Sequence, residues 1–423
     1  MVRKMGVYAV LAYCIYGLFF YWYLFHFANP KLPFEYQGTK ADPSTFLNGR
    51  ELVLSGEYSK IKNLLFFLST PLEWLIYFLI LLFGLSKAFK RWAENSAKYK
   101  LFQRAIYLFW LLLFASIATF PLNYLSYSIS KMYHISTQSF PSWMKDELID
   151  FWLNFGTWLI IVPVLYWLMK KSQKRWWLYG WLLSVPCTIF LMFIQPVVID
   201  PLYNDFYPLN NKHLESEILS LANKAHIPAK HVFEVNMAEK TNAMNAYVTG
   251  IGSNARIVLW DTTLNRLNDK QILFIMAHEM GHYVEKHIYF GLAGYLLLSL
   301  IILYLTYRLM NWAVSRWGKE LKIPDVRDIR SLPLFFILLS MLMFAASPLT
   351  NLASRYEETR ADRYAIEMTK DPEAAISSFQ ELTRSGLSEI NPPLLVKLFR
   401  YTHPSMLDRI AMLEEYEVKY RNK

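Results

Sequence analysis

His278-Glu279-Met280-Gly281-His282 is the stretch that orders the reading of this chain. Residues four apart lie on one face of an α-helix, so the two imidazoles can close on a single metal ion. The glutamate after the first histidine then stands beside the metal's open position, where a general base is needed. Gly281 leaves room for a second backbone to approach. Residues 271–277 carry the helical pattern into the motif, and Asn268 offers an N-cap at its start. Upstream, an amphipathic helix is expected from about His213 to His226, with strands at Val232–Val235, Ala246–Thr249 and Arg256–Trp260.

Long apolar segments surround the motif. Seven reach membrane-spanning length: about 6–27, 64–86, 105–128, 151–169, 176–199, 288–310 and 333–352. Trp and Tyr crowd their ends, as interfacial anchors do. Pro121, Pro163, Pro186, Pro196 and Pro348 fall inside spans and mark kinks or broken helices. Glu73, Asn154 and Gln195 are polar groups at or near membrane depth. The Met1-Val2-Arg3-Lys4 start precedes an apolar run too long for a signal peptide, so a retained first span is expected.

Composition agrees. The 423 residues are 54% hydrophobic and 18% charged, against about 25% charged in a soluble domain. The net charge of +10 sits in short loops between spans, the pattern of membrane topology, so nucleic-acid binding is excluded as the partner class. Cys14 and Cys187 lie in apolar spans without metal-ligand spacing and read as buried thiols. The fold class is therefore mainly α: a polytopic membrane protein with about seven transmembrane helices. Residues 1–199 form a five-span region, and 200–423 a small α+β catalytic region with two further spans.

A catalytic zinc needs a third protein ligand. A histidine six residues after His282 would serve, but that position is Ile288. His287, five residues on, lies about 140° round a continuing helix, so a capping or surface role is expected of it. The segment Ser354-Arg355-Tyr356-Glu357-Glu358-Thr359-Arg360-Ala361-Asp362 is the better source. Glu358 and Asp362 share a helical face, so one could bind metal while the other orients a ligand histidine. Spacing alone leaves Glu357 open, and leaves open a merely solvated charged face.

These residues resemble the integral-membrane zinc endopeptidases of the CAAX prenyl protease 1 family. The likeness rests on HExGH, on the SRxxExxxAD segment and on the seven spans. It rests further on Ile199-Asp200-Pro201-Leu202-Tyr203-Asn204-Asp205-Phe206-Tyr207-Pro208-Leu209, on Asn245-Ala246-Tyr247 followed by Arg256-Ile257-Val258-Leu259-Trp260-Asp261, and on His403-Pro404 with Arg409. It covers about 195 to 412; the first 190 residues match in hydrophobic layout only. The resemblance implies a zincin-like region with one Zn²⁺ on His278, His282 and Glu358, the last preferred to Glu357. It implies Glu279 as general base, Asp362 behind a ligand, and Asn245, Ala246 and Tyr247 holding substrate by strand pairing. It implies His403 and Arg409 near the metal, helping to stabilise the oxyanion; Arg409 could instead pair with Glu358 or Asp362.

The function these residues indicate is zinc-assisted hydrolysis of peptide or protein substrates at a lipid bilayer. Family members cut near the C-terminus of prenylated CAAX proteins. Membrane-protein quality control without prenyl specificity is a second possibility, and a polytopic scaffold with a structural zinc a third. Topology brings a conflict. Basic residues gather in the loops on the N-terminal side of the spans, which places the N-terminus in the cytoplasm and residues 200–287 outside it. The resemblance implies a catalytic face towards the cytosol, and a re-entrant or miscounted span would reconcile the two.

Overall fold

The computed structural model describes residues 2–28, 31–249 and 256–421. Seven of its helices are long and apolar enough to cross a bilayer. The chain enters as α1 (Val2–Trp22), which ends in a π-turn to Phe27, and returns as α2 (Gly49–Phe83). Asn48 caps α2 in a capping box with Glu51, and Gly84 ends it at φ 78°, a conformation open to glycine. A short α3 (Leu85–Ser96) follows, then α4 (Lys100–Met132), α5 (Phe140–Lys171) and α6 (Trp176–Ile194). Pro196 sits in a π-turn that leads into α7 (Asp200–Tyr203). Pro71, Pro121, Pro163, Pro186 and Pro348 lie inside helices that continue through them.

Between the fifth and sixth spans lies the only sheet among the described residues. Its strands are β1 (Phe206–Pro208), β2 (Val232–Val235), β3 (Ala246–Thr249) and β4 (Arg256–Trp260), with α8 (Lys212–Lys224) between the first two. The order is β1-β2-β4-β3. β2 and β4 run parallel, with Val232 opposite Ile257; β3 pairs antiparallel with β4, Ala246 opposite Leu259. The inner strand β4 buries Ile257, Val258 and Leu259 in succession, as a strand covered on both faces does. β3 pairs with a strand on one side only among the described residues, and its other edge meets no neighbouring strand. Strand β1 lay in a stretch without apolar alternation and was not expected.

α9 (Asp261–Arg266) leads to α10 (Asp269–Val284), which carries the HExxH motif; Asn268 caps it in a capping box with Gln271. The sixth span is α11 (His287–Trp317) and the seventh α12 (Leu332–Thr369). At 38 residues, α12 is about 57 Å long, nearly twice a hydrocarbon core of about 30 Å. Its second half therefore leaves the membrane and enters the catalytic region, where α13 (Pro372–Ser385), α14 (Leu394–Phe399) and α15 (Met406–Arg421) complete the chain. A core of Leu214, Ile218, Ile257, Leu259, Phe274 and Met276 ties α8, the sheet and α10 together.

The loops sort onto two ends of the bundle. At one end Lys90 meets Asp328 at 2.8 Å, Tyr166 meets Ser331 at 2.8 Å, and Gly6 packs beside Leu82 and Phe83. At the other, Lys40 N–H donates to Glu414 at 2.7 Å and Ser136 bridges to Thr241, so the first and third loops lie on the catalytic region. Seven helices of membrane-spanning length run between these ends. Cys14 and Cys187 correct the expectation of burial: both are exposed on α1 and α6. In a membrane an apolar side chain can face lipid, so hydrophobicity does not place it inside.

Candidate active site

The site is built where α10 crosses the outer half of α12. The crossing is close because of Gly281: a Cβ there would stand 3.2 Å from Ala361 Cα and 3.2 Å from the Tyr364 ring. His278 and His282 project from one face of α10, their Nε2 atoms 3.2 Å apart. Glu358 enters from α12, with Oε2 3.2 Å from His278 Nε2 and Oε1 3.4 Å from His282 Nε2. One ligand atom from each of the three falls within 4.8 Å of the others. Glu358 Oε2 is buried and makes no hydrogen bond, a costly state for a carboxylate unless a cation meets it. Two imidazole nitrogens and a carboxylate are the donor set of a catalytic zinc, so the residues fit a metal. Glu357 is partly exposed and outside this group.

Each histidine is held from behind. His278 Nδ1 lies 2.8 Å from Asp362 Oδ1, one helical turn beyond Glu358 on α12. Asp362 is buried and also receives Arg409, whose Nε donates at 2.8 Å and whose second nitrogen donates at 2.5 Å. The Arg409 guanidinium stacks 4.0 Å over the Phe379 ring. Burial disfavours the His278 cation, but the adjacent Asp362 carboxylate outweighs it and pushes the pKa up to about 10. Arg409 pairs with Asp362, one of the arrangements the sequence left open.

His287 departs from expectation. It is buried, and its Nδ1 lies 2.9 Å from His282 Nδ1. The 140° argument fails because α10 stops at Val284 and Lys286 turns the chain at φ 59°. The first residue of α11 is thereby folded back onto the motif. Behind it, His287 Nε2 lies 3.8 Å from Glu285, and Glu285 is paired with Arg360 of α12 at 2.5 Å. A sequence signal existed: Glu285-Lys286 is a polar break between an ended helix and a long apolar run.

Glu279 lies between the metal-site residues and β3. Burial pushes its pKa up to about 7, and a hydrogen bond from the Val248 backbone partly offsets that. Asn245, Ala246, His278, Glu279, His403 and Arg409 line one cavity of about 360 Å³. A second, of about 550 Å³, lies along β3 and α7 and is lined by Asn245, Tyr247, Asp200 and Tyr203. Asn245 opens both. Thr263 anchors it, donating to its carbonyl at 2.7 Å, while Asn245 Oδ1 accepts from Ala246 N–H at 2.9 Å. His403 is exposed and reaches Glu358 Oε1 at 3.3 Å. Glu389 and Arg400 also line the first cavity, and nothing in their sequence context marked them.

Comparison with known proteins agrees with this arrangement. Residues 208–417 match the model of peptidase family M48, and residues 44–205 that of the CAAX prenyl protease N-terminal region with five membrane helices. A Bacillus subtilis protein named as the metalloprotease YhfN is 51% identical over 98% of both chains. The CAAX prenyl protease 1 of Saccharomyces cerevisiae is 27% identical over 73% of this chain and 71% of its own. The crystal structure of S. mikatae Ste24p superposes with a TM-score of 0.77 at 22% identity, over 97% of this chain and 98% of that one, and shares the fold. A half-identical relative along the whole length and family models on both regions leave one conclusion: the chain belongs to peptidase family M48 and is a multi-pass membrane metalloendopeptidase resembling CAAX prenyl protease 1.

Proposed function

We propose that the protein holds one Zn²⁺ through His278, His282 and Glu358 and hydrolyses peptides laid in extended form along β3. The observation that carries this is the convergence of two Nε2 atoms and an unsatisfied carboxylate next to a half-buried Glu279. When bound, the metal supplies a water of lowered pKa and a Lewis acid at the scissile carbonyl. Glu279 accepts the proton of the attacking water and returns it to the leaving nitrogen; its raised pKa suits both transfers near neutral pH. Asp362 fixes the His278 ring through Nδ1, leaving Nε2 for the metal, and Arg409 holds Asp362 as a positioning residue. His403 faces the cavity beside Glu358 and donates to the carbonyl oxygen as negative charge develops.

Asn245, Ala246 and Tyr247 bind substrate through the free edge of β3, where main-chain pairing orders the peptide without reading its sequence. Residues 1–199 serve as the membrane scaffold and 200–423 as the peptidase region. His278 and Glu279 line an open cavity, and three candidate ligands converge among the described residues, which speaks against a closed structural zinc with four protein ligands.

The test uses the purified full chain with zinc beside Glu279→Gln. Both are incubated with a mixed peptide pool and a farnesylated CAAX peptide, and cleavage is mapped by mass spectrometry. Zinc content should stay at one per chain while turnover falls by about 10²–10⁴-fold. Wild-type turnover in the variant would sink the mechanism. Cuts confined to the farnesylated peptide would place prenyl recognition in this chain, and cuts throughout the pool would remove it.

A further inference from the structure

We infer that Glu389 gives the catalytic cavity an acidic subsite, which takes the basic side chain of a substrate Lys or Arg held at one fixed position near the scissile bond. The inference rests on the peptide-hydrolysing reading above and adds to it the class of substrate that the cavity selects.

Among the described residues, two carboxylates have a buried oxygen without a hydrogen-bond partner: Glu358 and Glu389. Glu358 converges with two histidines on a metal position. Glu389 has no further His, Cys, Asp or Glu grouped with it, so it does not read as a metal ligand. It lines the same cavity as His278, Glu279 and Asn245. A buried carboxylate oxygen that no donor meets is costly until a cation arrives. The chain's own cations do not supply one: Lys397 Nζ is engaged with Asn391 at 2.8 Å. Burial pushes the Glu389 carboxyl up to about 7, against the pull of the Lys60 and Lys397 charges. A bound ammonium or guanidinium would hold it ionised.

The loop that bears Glu389 is fixed from behind by α2. The Glu389 N–H donates to Ser59 Oγ at 3.0 Å, while Ser59 and Ser55 donate to the Leu387 and Ser388 carbonyls at 3.1 and 2.8 Å. The rest of the cavity suits a long side chain with a charged tip. Phe274, Ile275, Leu382 and Met406 offer apolar surface to a methylene stem, and Glu389 meets the head. Asn245 and Ala246, at the start of β3, line the same cavity. In a peptide paired with β3 alternate side chains face one way, so the strand delivers one of them to this cavity. The cavity's arginines are already engaged. Arg409 is paired with Asp362, and Arg400 donates to Asn63 of α2 and lies 5.7 Å over the Phe66 ring.

The experiment gives the purified, zinc-loaded full chain peptides that differ at a single position, scanned through the residues flanking the cut and occupied by Lys, Met or Glu. At one position the Lys peptide should be cleaved with a kcat/KM about 10–100-fold above that of the Met peptide, the span of a charge-assisted hydrogen bond. Glu389→Gln should erase that ratio. Glu389→Asp keeps the charge and should keep the preference. No position that favours Lys, or a ratio unchanged in Glu389→Gln, overturns the inference. A preference for Glu would assign the subsite to Arg400 and overturns it as well. Affinity of the same peptides for the Glu279→Gln chain, read by fluorescence anisotropy, gives a second reading that needs no turnover. Tighter binding of the Lys peptide supports the inference, and equal binding overturns it. A chain that prefers the Lys peptide in binding yet cuts nothing as wild type would count against the proteolytic mechanism alone.

Discussion

Two histidines separated by one turn are a common sight on helices, and what makes this pair a metal site is the group behind each ring. Asp362 supports His278, and His287 supports His282, the latter braced in turn by Glu285 and Arg360. A bound imidazole whose second nitrogen is held loses orientational freedom and gains basicity. His287→Ala should therefore weaken zinc binding by about 10–100-fold, read by competition with a chromophoric chelator. His287→Asn keeps an acceptor near the same place and should recover part of that loss. Equal affinity in wild type and His287→Ala would show the contact to be packing only. At this scale the sequence was legible wherever the partner lay at a fixed helical offset: His278 with His282, and Glu358 with Asp362. It misled at His287, because the positive φ of Lys286 belongs to the chain's turn and has no periodic signature. It was silent at Arg400 and Glu389, which reach the cavity only through the packing of a C-terminal loop.

At the scale of elements, the site depends on how near α10 comes to α12. That distance is set at Gly281, where Ala361 Cα already stands within 3.2 Å of an added Cβ. Gly281→Ala forces the helices apart by a few tenths of an ångström, a cost of about 1–3 kcal/mol for overpacking. The change falls between the two histidines and the carboxylate, so zinc affinity should fall along with the melting temperature in detergent. A variant that loses stability but binds zinc as before would separate packing from ligation. Helix α10, strands β2, β3 and β4, and the onset of α8 stood where capping and alternation put them, because each satisfies its backbone locally. The lengths of the spans did not: α2 begins about fifteen residues before its apolar stretch and α12 runs about seventeen beyond. A helix can leave the membrane without changing its backbone, and only its side chains record the crossing.

For the whole molecule, the metal joins segments that the sequence keeps apart. Its candidate ligands come from a capped helix between two spans and from the far end of the last span. Anything that binds only the folded arrangement stabilises it by mass action, about 2.7 kcal/mol at a free zinc concentration 100 times the dissociation constant. Removing zinc with a chelator should lower the melting temperature by several degrees, and restoring it should raise it again. An unchanged melting curve, with metal loss verified, would mean that α10 and α12 hold each other without help. The same assembly explains why the enzyme class was readable early: two candidate ligands and the general base are written in five contiguous residues.

One unbroken helix connects the remote face of the bundle to Glu358. Length in a membrane span is usually free to drift, since one more or one fewer apolar residue merely alters tilt. Here it cannot. A single insertion or deletion between Leu332 and Glu358 turns that carboxylate by about 100° and moves it about 1.5 Å along the axis. The lipid-facing stretch of α12 is thus counted residue by residue, held to a fixed number by an atom that never touches lipid.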